Sequence, residues 1–305
     1  MSQQMYIDVA NVVTKLRMYP YFDLAHYILI SIAVREDSDS TASSTTSTIT
    51  VNGNNNTNND INDKSSKAKT LIHQQTSPPA GSDQLATLFS CRHPLSSWVS
   101  TMLLCFASSL MVNFLLGEPV ITPFKDHRNI AIATAVWYLV NFSPFDIVYK
   151  LCKLLPMYLI ICIMVEIRRA HMVYHGVLVT KKLYPRAYFV IVLVGTIKGC
   201  GGCFMRNICR LVRGIWIPDT SEILQPTFVT KASLFASVMF LCERLQLINA
   251  SHPVIYLGIV IFFIYFRISS VLLGAHDPFV PLENLFCNIF MGGHQVIARQ
   301  LVRED

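Results

Sequence analysis

Apolar residues in this chain fall into long blocks separated by short polar joints, rather than into the narrow stripes of a soluble helix. The first block, 22–34, is short, and crossing a bilayer there takes help from Tyr19-Pro20-Tyr21 or from local thinning of the lipid. The second, 95–117, has 23 residues without a charge and stops at Gly117-Glu118-Pro119; it is the clearest membrane span. A third, 129–145, closes on Ser143-Pro144-Phe145-Asp146. The fourth opens there, carries Lys150 and Lys153, is expected to bend at Pro156, and ends near Arg169. A polar segment with His171, His175, Lys181 and Lys182 follows. The fifth block, 187–205, has one charge, Lys198, in its middle; the sixth covers about 226–241 and the seventh 253–272, with Arg267 near its far end. The pattern predicts an all-α integral membrane protein of seven transmembrane helices, with its termini on opposite faces. The segments are an N-terminal stretch (1–21), the first helix (22–35), a polar loop (36–92), helices two to seven (93–273) and a tail (274–305).

Composition sharpens this picture. The chain is 52% hydrophobic and 14% charged, against about a quarter charged in soluble domains. The excess apolar surface requires lipid as solvent. The net charge of +6 is spread out, with no basic block interleaved with aromatics, so nucleic acid is not an expected partner. Most of the nine cysteines lie inside apolar runs and read as small reduced core residues. Cys200-Gly-Gly-Cys203 has redox or zinc spacing but no second pair, and no metal is expected. Between 37 and 82 the chain turns to Ser, Thr, Asn, Asp and Lys, which cannot bury enough apolar area to fold, so a disordered loop is expected. Asn55-Asn56-Thr57 within it is a glycosylation sequon, usable if the loop is lumenal. The first twenty residues lack an apolar signal-peptide core, so insertion is expected to rely on a later span. Lys and Arg are shared almost equally between alternate loops, and charge bias assigns no orientation.

The blocks also repeat. Pro20-Tyr21-Phe22-Asp23-Leu24 opens the first and Pro144-Phe145-Asp146-Ile147 the fourth; His93-Pro94 opens the second and Tyr184-Pro185 the fifth. Counted from those prolines, Ala107-Ser108-Ser109 matches Lys198-Gly199-Cys200, two small-residue interruptions near mid-helix. Two three-helix units with an odd number of spans sit in opposite orientations, giving two inverted three-helix repeats plus a seventh helix, with the functional site between broken helices at the midplane.

Chemistry concentrates at Lys198-Gly199-Cys200-Gly201-Gly202. A lysine at mid-membrane costs about 2.5–3.5 kcal/mol on insertion scales unless water or a partner reaches it. The glycines loosen the helix and expose carbonyls. Together they predict a wet cavity against the fifth helix; a glycine packing notch with a snorkelling lysine is the alternative. Glu166, Arg168 and Arg169 cluster at the end of the fourth span, Glu166 and Arg169 being neighbours on one helical face. They are placed either to pair with Lys198 or hold an anionic head group, or as an interfacial ion pair. Arg206, Arg210 and Arg213 continue the fifth helix as a basic face suited to lipid phosphates or simple anchoring. No Ser-His-Asp arrangement or pair of intramembrane aspartates is present, so no catalytic residues and no enzyme are expected; His171 and His175 read as a hydrated pair rather than metal ligands.

These residues resemble the trimeric intracellular cation (TRIC) channels, in the form of invertebrate type B. The similar stretches are Arg92-His93-Pro94, Leu115-Leu116-Gly117-Glu118-Pro119, Ala135-Val136-Trp137-Tyr138-Leu139, Ser143-Pro144-Phe145-Asp146, Lys198-Gly199, Leu211-Val212-Arg213-Gly214-Ile215-Trp216 and Thr230-Lys231-Ala232-Ser233-Leu234, in the family's order over about 20–290. The resemblance implies one channel domain (22–273) assembled as a homotrimer, each protomer with its own pore lined by kinked second and fifth helices. It implies potassium conduction in endoplasmic or sarcoplasmic reticulum membrane, functional coupling to calcium-release channels through counter-ion flow, and a cytosolic C-terminus. It also implies a bound phosphoinositide, phosphatidylinositol bisphosphate, with no other cofactor. On that basis Lys198, Gly199, Gly201, Gly202, Ser108 and Ser109 are candidate pore and gating residues, and Glu166, Arg169, Lys198, Gly199, Gly201 and Gly202 candidate lipid contacts. The chain departs from the family where Val165 replaces a lysine, and where Ala107-Ser108-Ser109 replaces a glycine-containing kink and so predicts a weaker bend. The competing reading is a secondary transporter with the same repeats, disfavoured by the lack of a midplane carboxylate.

Overall fold

The structure, a computed structural model, describes residues 2–15, 18–52, 94–212, 227–248 and 250–273. Among the described residues there are ten α-helices and no strand: α1 (Ser2–Thr14), α2 (Tyr21–Asn52), α3 (Pro94–Cys105), α4 (Ala107–Leu116), α5 (His127–Phe142), α6 (Ile147–Lys153), α7 (Leu155–Leu183), α8 (Tyr188–Val212), α9 (Phe228–Arg244) and α10 (His252–Leu273). Two of these, α8 over Tyr188–Cys209 and α10 over His252–Leu272, are single helices long and apolar enough to cross a membrane. Two bent pairs qualify when each is taken as one span: α3 with α4 at 60°, and α5 with the segment Pro144–Lys153 at 90°.

Several elements differ from the sequence expectation. α1 falls in the mixed N-terminal stretch; it buries Ala10 and packs Val13 against the core that α10 shares. α2 runs on to Asn52, into the polar stretch expected to be loop. Once its apolar half is helical, each further residue adds a hydrogen bond for one residue fixed, and Ser and Thr are tolerated at modest cost. The sequon and the rest of the 53–93 stretch lie outside the described residues, as do Arg213 and the tail from 274. The fourth block breaks at Leu154 (φ −59°, ψ 128°) rather than bending at Pro156. Pro156 sits in the first turn of α7, where its missing N–H has no helical partner to lose. α7 then continues through the expected polar segment to Leu183. Its buried residues Ala170, Val173, Gly176, Val177 and Thr180 recur at helical spacing, so one face is core although its histidines and lysines made the segment look like loop.

Among the described residues two larger hydrophobic cores form, with a small third one of Val112, Val194 and Ile197 between α4 and α8, and α7 belongs to both of the larger ones. The first gathers α2, α3, α5 and α6 around Tyr27, Met102, Val136, Val140 and Tyr149, with Ile161 and Val165 from α7. The second gathers α9 and α10 around Phe240, Tyr256 and Phe263, with Val173 and Val177 from α7 and Ile191 from α8. Ion pairs tie the elements. Arg35 of α2, 2% exposed, donates to the Val140 carbonyl at 3.0 Å and to Asp146 at 3.1 Å, with its guanidinium 4.1 Å from the Tyr149 ring centroid. Arg168 of α7 reaches back to Asp23 at the start of α2, 2.6 Å away.

α8 docks by glycine. A Cβ on Gly199 would lie 2.6 Å from Ser233 Oγ and 2.6 Å from Val173 Cγ2, and one on Gly195 would lie 2.7 Å from Ser237 Oγ and Val177 Cγ2. These positions let α7, α8 and α9 meet at backbone distance. Around Gly202 there is open space. Gly199→Val is therefore expected to lower stability by about 1–3 kcal/mol through overpacking, while Gly202→Ala leaves it within about 0.5 kcal/mol. Thermal unfolding of the detergent-solubilised protein reads both.

Candidate functional site

The second block is broken at Phe106, between α3 and α4, with no glycine or proline at the break. The bend there is 60°. At the break the Ser109 amide donates to the Phe106 carbonyl, three residues back, at 3.0 Å, and Leu110 donates to the same oxygen at 3.0 Å. At its far end α4 closes on Gly117 in the left-handed region (φ 70°), where the missing Cβ avoids a steric penalty. Asn113 caps this turn by donating to the Pro119 carbonyl at 3.4 Å.

The fifth block is not broken. α8 runs as one helix from Tyr188 to Val212, straight through Lys198-Gly199-Cys200-Gly201-Gly202. This corrects the expectation of a glycine-loosened segment with freed carbonyls. The glycines serve close approach instead: Gly199 seats Ser233 and Val173, and a Cβ on Gly201 would lie 2.6 Å from Ser108 Cα. Packing against three neighbours outweighs the roughly 1 kcal/mol that each helical glycine costs relative to alanine.

The two small-residue stretches that match in sequence, one at a break and one inside a continuous helix, touch one another. Lys198 Nζ donates to Ser109 Oγ at 3.1 Å, and Gly201 lies against Ser108. Beside them is a cavity of about 310 Å³ with five basic lining residues, Arg168, Arg169, Lys198, Arg206 and Arg267, and one acidic, Glu36. Four of the five cations have carboxylate partners: Arg168 with Asp23, Arg169 with Glu166 at 2.5 Å, Arg267 with Glu166 at 3.8 Å, and Arg206 with Asp37 at 3.4 Å. Lys198 hydrogen-bonds only the serine hydroxyl among the described residues, with the carboxylate that acts on it through space, Glu118, making no ion pair with it.

The predicted site residues thus separate. Lys198, Gly199, Gly202 and Ser108 line the cavity, while Ser109 binds the amine. Gly201 is spent on packing, and Gly199, though at the cavity edge, also packs against α7 and α9. Arg169 lines the cavity. Glu166 is 1% exposed and stands behind the lining, where it holds Arg169 and Arg267 in place. Arg206 joins the lining, and Val165 lies there where the family pattern has lysine. The side chain of Arg210 lies outside the described residues. His171 and His175 stack with centroids 6.4 Å apart. The cysteines that are described are free thiols, and Cys200 donates to the Thr196 carbonyl along the helix.

Sequence reasoning missed His26, whose Nε2 lies 3.3 Å from the Cys105 carbonyl and whose ring lines the same cavity. It also missed the partners of Arg168 and Arg35. Each contact joins residues 79 or more apart in sequence, and local pattern carries no trace of them.

Comparison with known proteins places this geometry. The sequence pattern of the TRIC channel family matches residues 83–274. The chain is 43% identical, over 294 residues, to the trimeric intracellular cation channel type 1B.1 of Caenorhabditis elegans, spanning 96% of this chain and 85% of that one. It superposes on the structure of a trimeric intracellular cation channel from C. elegans in the absence of Ca2+ with a TM-score of 0.72 and 36% identity, covering 91% of this chain and 100% of the other. A further solved structure, described as the structural basis for activity of TRIC counter-ion channels in calcium release, matches with a TM-score of 0.68 and 25% identity over 88% of this chain and 99% of the other. The bent pair of α3 and α4, gripped by a basic residue of α8, is thus found in a chain that belongs to the TRIC channel family.

Proposed function

We propose that the protein is a potassium-permeable monovalent cation channel of the endoplasmic or sarcoplasmic reticulum membrane, supplying counter-ion flow while calcium is released. The observation that carries this reading is the Lys198 amine, held by a neutral hydroxyl beside a cavity of about 310 Å³ instead of by a carboxylate. A charge in that position needs water. Because its hydrogen-bond partner is neutral, the amine can leave Ser109 without stranding a buried anion. It then acts as a movable positive element beside a hydrated path between α4 and α8. With α8 unbroken, ions in this path meet side-chain hydroxyls and water rather than glycine carbonyls.

The architecture proposed with it is seven spans, two inverted triplets plus a seventh helix, in a homotrimer like that of the relatives, with the C-terminus cytosolic. Support for the inversion comes from two reciprocal ion pairs. The aspartate of the first Pro-aromatic-Asp motif, Asp23, binds Arg168 of the later unit, and the aspartate of the second, Asp146, binds Arg35 of the earlier one. A two-fold axis between inverted units produces this kind of exchange.

The basic lining raises a further question for a cation path, since five positive side chains repel the permeant ion. A resident anion answers it. We assign the cavity to a phosphatidylinositol bisphosphate head group, contacted by Arg169, Lys198 and Gly202, with Arg267 supplying a charge where Val165 supplies none. The first turn of α4, which brings Ser108 to the cavity wall, adds the positive end of a helix dipole.

Purified protein in planar bilayers under a potassium chloride gradient should give unitary currents reversing near the potassium potential. Slow saturable flux points instead to a transporter, and no flux in liposomes to a scaffold. Lys198→Gln should raise open probability or alter rectification, and unchanged currents remove the amine from gating. Arg169→Gln is expected to weaken retention of phosphatidylinositol bisphosphate in vesicle flotation by about ten-fold or more, the loss of one charge-assisted hydrogen bond. Equal retention removes the lipid from this cavity.

A further inference from the structure

We infer that His26 is a positioning residue for the permeation site: its Nε2–H holds the Cys105 carbonyl that the break in the second span releases, and so sets the angle at which Ser108 and Ser109 face Lys198. In an unbroken helix the Ser109 amide would donate to Cys105. Here it donates to Phe106 instead, at 3.0 Å, leaving the Cys105 oxygen without its helical donor. A backbone carbonyl stripped of its partner in a membrane interior is costly, and the chain must either straighten or find another donor. His26 is that donor, at 3.3 Å. Because a carbonyl can only accept, the proton is on Nε2.

The surroundings fix the imidazole for this task. Three residues earlier on α2, Asp23 is bound to Arg168 at 2.6 Å, which sets the rotation of α2 against α7. The adjacent Tyr27 packs its ring 6.1 Å from Phe106, the residue at the break, and Phe106 meets Phe124 edge-on at 5.3 Å. The opposite side of the break is held by Lys198 on Ser109 and by the seat that Gly201 leaves for Ser108. With no glycine in α3, Phe106 or α4, and the one proline, Pro94, at the far end of α3 from the break, the bend is imposed by contacts rather than by the backbone. His26 is the hydrogen-bonding part of those contacts on the α2 side. Its effect on currents rests on the channel reading; its effect on the bend does not.

The test compares two donorless variants of different volume, His26→Leu and His26→Phe, with His26→Gln, whose amide can still donate. Cysteine-independent spin labels at the exposed positions Leu95 and Phe114, one on each arm of the bend, report its angle by pulsed electron resonance in nanodiscs. The donorless variants should lengthen and broaden the label distance, and His26→Gln should keep that of the parent. In bilayers the donorless variants should change open probability at least three-fold, with His26→Gln restored to within two-fold. A parent-like distance in His26→Leu or His26→Phe overturns the proposal, as does His26→Gln changing as much as they do. Should both donorless variants fail to fold, His26→Gln decides: a parental distance supports the donor role and a changed one overturns it. A parent protein without current sinks the channel reading and leaves the distances to decide on the bend.

Discussion

A helix can meet three neighbours at backbone distance only where it carries no side chains toward them, and α8 depends on that condition. Gly195 and Gly199 admit Ser237 and Ser233 of α9 and the valines of α7, and Gly201 admits the backbone of Ser108. The same closeness puts Lys198 within reach of Ser109. With alanine or larger residues at these positions α8 would stand off, and the amine, the bent span and the cavity would no longer share one wall.

Around this contact the charges are arranged by pairing rather than by exposure. Buried arginines are tolerated because each has a carboxylate or carbonyl directed at it, as Arg35 has in Asp146 and Val140. Glu166 does this for two arginines at once and orients both toward the cavity. The result is a basic lining whose geometry is fixed before any ion or lipid arrives, with Lys198 as the exception held by a weaker, neutral partner.

Much of the scaffold was legible in the hydrophobic blocks, because apolar length is a direct physical demand of the bilayer. The pairing of the small-residue stretches at 107–109 and 198–200 was also legible, and the structure brings them together, although only the first is a break. What could not be read is the direction each residue faces. Gly199, Gly201 and Gly202 look alike in sequence, yet one seats two helices, one seats a backbone and one opens on space. The segment with His171 and His175 looked like loop because its histidines and lysines interrupt the apolar run, although Val173 and Val177 keep helical spacing. The bend at Phe106 had no local signal, since its causes lie on α2 and α8.

α7 is the stave that the two larger cores share: Ile161 and Val165 are set in the first, Val173 and Val177 in the second. A rigid rod clamped in two blocks cannot tilt in one without levering the other, because close-packed interiors transmit displacement instead of absorbing it. Any ligand that draws on Arg168 or Arg169, which sit on α7 between those clamps, therefore works at the fulcrum, where a small push is felt in both halves of the protomer.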